Sequence, residues 1–239
     1  MWQLKTKNYK HMKIQITCLL LLVGMITATA QRRTINLDNF SEISFGVSGT
    51  LYLTQGASEK VEIECSDDAF EQIEFKMDGD KLKIRNEKNW SWKNWNNEKV
   101  KIYVTMKDIE GISVSGSGNL VGQNRFDTGD LYLALSGSGG MDIRTNSDDV
   151  DISVSGSGSM ELDGSGDNAD ISISGSGRVK AEDFEVRVCE ASVSGSGSCR
   201  ITATKEIDAR ISGSGSVYYG GNPDRVSSNS SGSGKIRKL

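Results

Sequence analysis

The four letters SGSG recur seven times in this chain, with their first serines at Ser115, Ser136, Ser155, Ser174, Ser194, Ser212 and Ser231. The intervals are 21, 19, 19, 20, 18 and 19 residues. A flexible Gly/Ser spacer has no physical reason to hold a period. A period fixed near twenty is the mark of a stacked repeat. The leucine-rich repeat has a similar length, but it needs leucines and an asparagine at set offsets that are absent here.

Aligning the chain on these serines exposes columns. Three residues before each stand Ile112, Leu133, Ile152, Ile171, Ala191, Ala209 and Ser228; one before stand Val114, Leu135, Val154, Ile173, Val193, Ile211 and Ser230. Five after stand Leu120, Met141, Met160, Val179, Cys199, Val217 and Ile236. The positions between are mostly polar, among them Asp151, Ser153, Asp170, Ser172, Glu190, Ser192 and Asp208. Alternation of this kind marks strands with one buried face. By the same parity both glycines of each motif face inward and both serines outward. SGSG then reads as a bend over an interior too narrow for side chains, where glycine supplies the missing Cβ and the freedom in φ. On the outer side, small serines fit a tight bend and can hydrogen-bond up the stack.

A coil of about 19–20 residues that pairs in parallel with its neighbours, about 4.8 Å away, makes an all-β solenoid of the parallel β-helix type. Ser228 and Ser230, standing where earlier coils have Ile and Val, mark a terminal coil whose core is fading. Upstream, "TLYLTQG", "VEIEC", "KLKIRNE" and "VKIYVTM" alternate like strands, and "DGDK" (Asp78 to Lys81) is a hairpin-type turn. "GVSGTLYL" (Gly46 to Leu53) is a degenerate first copy of the motif. This region, 31–110, is expected to continue the solenoid 111–239 and to cover its open strand edge.

The first thirty residues have the layout of a secretory signal. A start rich in lysine (Lys5, Lys7, Lys10, Lys13) precedes the apolar run Ile14 to Ile26, and the small residues Ala28 to Ala30 follow. The apolar run is short for a membrane span. Residues 31–239 are therefore expected as one exported domain without a transmembrane anchor, in the periplasm, outer envelope or extracellular space. Without the four leader lysines, 24 basic residues face 32 acidic ones, a net charge of −8. No basic run occurs, so nucleic acid is not an expected partner. The single histidine is His11, so a domain starting at Gln31 has none. A Ser-His-Asp or Cys-His centre and an imidazole zinc site are thereby excluded from it. No cofactor or metal is expected.

Four features carry functional expectations. All three tryptophans beyond the leader, Trp90, Trp92 and Trp95, fall in "NEKNWSWKNWNN" (Asn86 to Asn97), between two strands. Tryptophan faces stack on sugars and anchor interfaces, so these are the candidate residues for binding a glycan or a protein surface. The alternative is a loop that plugs the end of the core. Asp151, Asp170, Glu190 and Asp208 share one outward column, which could serve as acid and base in a polysaccharide-cleaving β-helix enzyme or simply form a solvated face. "DGSGDNAD" (Asp163 to Asp170) has the composition of a calcium loop but not the spacing of an EF-hand. Cys189 and Cys199 fall in inward columns, either as core thiols or as a bridge. A third role, as a structural envelope protein with no small ligand, needs none of these features.

The chain resembles the auto-transporter adhesin "head GIN" domain family of exported Bacteroidetes-type proteins. The resemblance rests on "FSEISFGVSGTLYLTQG", "DGDKLKIRN", "VKIYVTM" and "SVSGSGNL", and it spans Ile35 to Lys235. It implies a right-handed β-helix-like fold, placement in the cell envelope or outside the cell, and a domain of unknown function. No catalytic residues travel with it.

Overall fold

The computed structural model describes residues 32–87 and 100–239, which belong to one compact unit, Arg32–Leu239. The strands are β1 (Arg32–Ile35), β2 (Glu42–Gly46), β3 (Thr50–Gln55), β4 (Lys60–Glu64), β5 (Ile73–Asp78), β6 (Lys81–Asn86), β7 (Lys101–Met106) and β8 (Gly111–Gly116). They continue with β9 (Asn119–Gly137), β10 (Gly140–Gly156), β11 (Ser159–Gly175), β12 (Arg178–Gly195), β13 (Ser198–Gly213), β14 (Ser216–Gly220), β15 (Arg225–Gly232) and β16 (Lys235–Lys238). The one described helix is a single turn, α1 (Asp67–Phe70), capped by the Ser66 hydroxyl, which accepts from the Ala69 N–H.

From β8 onward, each coil pairs in parallel with the next, in the register that the SGSG alignment predicts. Ile152 stands between Leu133 and Ile171, Val154 between Leu135 and Ile173, and Gly156 between Gly137 and Gly175. The result is a β-solenoid of about 7 turns. The predicted inward residues of the middle coils are buried, so each coil completes its core only against its neighbours. The unequal intervals are absorbed away from SGSG, as register shifts at Asp142/Arg144, Glu161/Gly164 and Ala181/Glu185. One corner stays in register while the other takes up insertions as bulges.

The two glycines of each motif turn out to act differently, which corrects the reading that both face inward. Gly175 has φ +108 and is exposed; a Cβ there would sit 2.7 Å from the Gly156 carbonyl oxygen of the preceding coil. It makes the corner, and the space it lacks lies along the stack. Gly177 is the buried one, where a Cβ would meet Val154 Cγ1 at 2.5 Å. Backbone bonds, in place of serine hydroxyls, tie the corners together. The Ser157 N–H donates to the Gly137 carbonyl and the Ser176 N–H to the Gly156 carbonyl, both at 2.8 Å. Among the described residues, the only direct hydroxyl pair between SGSG serines is Ser48 with Ser117, at 2.9 Å. That bond also matches "GVSG" to the motif, as the degenerate copy requires.

"DGSGDNAD" is likewise ordered strand within β11, and a second kind of corner in place of a calcium loop. Gly164 has φ +122 and lies directly over the Thr145 carbonyl. Phe126, Thr145, Gly164 and Phe184 form one column, so two buried rings flank two small rungs. Cys189 and Cys199 are free thiols in the core, without the bridge. Burial pushes the Cys189 thiol up to about 12 and Cys199 well above its ordinary value, so both stay protonated and inert.

The N-terminal strands pair onto β8 and β9 in an order the sequence does not announce. β2–β3 is held between two coils: β6–β7 on one side and β8–β9 on the other. Antiparallel strands then close the stack, β5 against β6, β4 against β7 and β1 against β4. The Asp78–Lys81 turn joins β5 to β6 with Gly79 at φ +64, as the hairpin reading requires. At the other end, β15 and β16 pair with β13 and β14. The inward Ser228 and Ser230 are exposed there.

Candidate binding surface

Trp90, Trp92 and Trp95 lie outside the described residues, as do residues 1–31. Within the described residues, a groove of about 900 Å³ lies beside the predicted acid column. Asp151, Asp170, Glu190 and Asp208 do occupy adjacent rungs. One rung earlier on the same column stands Tyr132, which pairs with Asp151 and is 46% exposed. An unpredicted second column runs alongside: Asp130, Asp149 and Asn168. The signal was available, because positions six before each serine share the outward parity of those four before. The Asn168 amide donates to Asp149 Oδ1 at 2.6 Å.

The far wall is the β7–β8 connection, carrying Asp108 and Glu110, with Gln55 at its foot. Gln55 locks this wall to β9. Its backbone N–H donates to Asn124 Oδ1 at 3.0 Å, its side-chain amide donates to the Asp127 carbonyl at 3.0 Å, and its Oε1 accepts from the Asp127 N–H at 2.8 Å. The floor is the buried Leu131, Val150 and Ala169.

Charge is unevenly compensated along the acid column. Arg210 reaches Glu190 at 3.6 Å and Asp208 at 2.5 Å. Asp151 and Asp170 form no ion pair among the described residues. Partial burial, with Asp151 and Glu190 on the neighbouring rungs, raises the Asp170 pKa. A carboxylate with a raised folded-state pKa costs stability at neutral pH, and this cost fades as pH falls through that value. Asp170→Asn is therefore expected to stabilise the fold by about 0.2–1 kcal/mol at pH 7, the scale of an opposed like-charge pair in a sheet, reduced by solvent screening. Its melting temperature should exceed the wild type's at pH 7, and the gap should close toward pH 3.

Chemically, the groove offers carboxylates and one half-exposed aromatic ring on a rigid frame. Among the described residues, no group of three or more His, Cys, Asp or Glu is arranged to hold a metal ion. None of their helices is long and apolar enough to cross a membrane.

Fold and surface together define a β-solenoid of glycine-cornered coils with an open acidic groove. The family model described as "Putative auto-transporter adhesin, head GIN domain" matches residues 39–223, and the chain belongs to that family. A crystal structure described as a "putative adhesin" from Bacteroides fragilis NCTC 9343 superposes with TM-score 0.83 at 27% identity, covering 87% of this chain and 96% of its own. A "Putative lipid binding protein" from Parabacteroides distasonis ATCC 8503 shares the fold at TM-score 0.70 and 24% identity, with 89% and 98% covered. A "putative adhesin" from Parabacteroides merdae ATCC 43184 does so at TM-score 0.68 and 20% identity, with 89% and 97% covered. No curated protein matches the sequence significantly.

Proposed function

We propose that this chain is an exported, non-enzymatic binding module of the adhesin kind, engaging a glycan or a protein at the cell surface. The observation that carries this reading is its membership of the head GIN family, together with the "putative adhesin" from Bacteroides fragilis at 27% identity. A stacked solenoid suits the role, because it holds loops and ladders rigid and so lowers the ordering cost of binding. Trp90, Trp92 and Trp95 are the proposed contact residues, and 1–30 the proposed export signal. In sequence the tryptophans fall between β6 and β7, two strands of the coil packed on β2–β3. Tryptophans in such a run are suited to stacking on sugar rings.

The test is a broad glycan array probed with the wild-type protein and with Trp90→Ala/Trp92→Ala/Trp95→Ala. Binding should fall at least tenfold in the triple variant while its melting curve stays unchanged. A glycan signal untouched by the substitutions would remove the tryptophans from the site; no signal at all would leave a protein surface as the partner.

A second reading, glycan cleavage in the groove, has one observation in its favour. Asp170 holds its proton more tightly than an ordinary carboxylate and stands one rung from Asp151, as an acid/base pair requires. Hydrolysis that persists in Asp151→Asn/Asp170→Asn would eliminate it.

A further inference from the structure

The outer face formed by the first segment of each coil carries a column that the sequence scatters over almost two hundred residues. In rung order it reads Tyr52, Val121, Asp142, Glu161, Lys180, Arg200, Tyr218, Arg237. The four charged residues in its middle are exposed, and their signs run minus, minus, plus, plus.

That order is its own complement when reversed. A two-fold axis lying along the strands, between the Glu161 and Lys180 rungs, turns the column end for end and sets it against itself. Glu161 then faces Lys180 of the second copy, and Asp142 faces its Arg200. Each pair occurs twice, as an isologous interface demands. The match continues outward. Val121 meets Tyr218, and Tyr52 meets Arg237. Tyr52 stacks on Tyr103 of the neighbouring rung, with centroids 5.1 Å apart and 16° between planes. In the adjacent outward column, Arg178 falls opposite Ser159, a small residue that leaves room for it. We propose that this face is a self-association surface, whose partner is a second copy of the chain packed with its stack reversed.

Three observations favour a second copy as the occupant. A polyanion would find Lys180, Arg200 and Arg237, yet Asp142 and Glu161 on the same line would repel it. The reversed copy uses all of them. The internal alternatives are also loose: Lys180 lies 3.7 Å from Glu161 and Arg200 lies 3.5 Å from Glu182, all four half-exposed. Such solvent-exposed pairs hold their side chains weakly and leave them available. Charge also divides along the solenoid. Residues 100–177 carry 4 basic and 12 acidic side chains, whereas 178–239 carry 10 and 7, so reversed stacking sets opposite ends together.

Sedimentation velocity over a concentration series tests this. The wild type should dimerise at low ionic strength and dissociate at about 1 M salt, where the screening length is about 3 Å. An acidic variant, Lys180→Glu/Arg200→Glu, and a basic variant, Asp142→Lys/Glu161→Lys, should each remain monomeric, with self-association weakened at least tenfold. Mixed one to one, the two should form a heterodimer. All four positions are exposed, and unchanged circular dichroism would exclude misfolding as the reason for a monomer. A wild type that stays monomeric at low salt, variants that dimerise normally, or a mixture that stays monomeric would each overturn the proposal. The wild-type salt series decides by itself should a variant fail to fold.

Discussion

Valine in place of Gly175 is expected to cost the fold about 2–6 kcal/mol, against near-neutrality for Ser176→Ala one residue away. Two separate penalties combine at Gly175. A β-branched residue held at φ +108 carries backbone strain of about 1–3 kcal/mol. Its Cβ must also displace the Gly156 carbonyl oxygen, 2.7 Å away, and overpacking a fixed site costs about 1–3 kcal/mol more. That oxygen cannot retreat freely, because it accepts the Ser176 N–H at 2.8 Å and so joins the two coils. Ser176 contributes to the corner through this backbone N–H, which alanine keeps, and its exposed hydroxyl bonds to no other serine among the described residues. A change within about 0.5 kcal/mol is expected there. Urea denaturation midpoints of the two variants measure the contrast. Equal midpoints would show that the corner does not depend on glycine.

The second large effect lies at the opposite corner. Phe184→Ala is expected to destabilise by about 3–5 kcal/mol, the usual range for a fully buried ring. Phe184 is wholly buried, and its ring lies 3.2 Å from the position a Cβ would take on Gly166. It fills the space left by two rungs without large side chains, Thr145 and Gly164. Truncation leaves a void that β11 cannot close, since Gly164 is pinned over the Thr145 carbonyl. Phe184→Leu, which keeps most of the volume, should recover more than half of the loss in the same denaturation experiment.

These two sites differ in how far the sequence reveals them. The SGSG corner is periodic, so its importance is visible without coordinates, although its mechanism is not. Parity assigns Gly156 and Gly175 to the interior because it assumes a continuous strand. At a corner with positive φ the alternation breaks, and the missing Cβ points along the stack instead. Phe126 and Phe184 stand at the corner that takes up the insertions, 11 residues after Ser115 and 10 after Ser174. No fixed offset links them, and only strand pairing shows that they flank the same two small rungs. The acid column was legible for the opposite reason. It lies within four residues of the motif, where no bulge intervenes.

The sequence by itself determined the coil length, the buried columns beside SGSG, the register at that corner and the identity of the outward acids. Each follows from a two-residue side-chain period locked to a repeated glycine corner, which is local information. Only the tertiary structure decided that β2–β3 lies between β6–β7 and β8–β9, because strand sequence does not specify which open edge a returning chain will take. It also decided that Tyr103 of β7 joins the line that runs from Tyr52 and Val121 to Arg237. Stacking converts residues about twenty apart in sequence into neighbours about 4.8 Å apart, and a surface made that way exists only once the coils have closed.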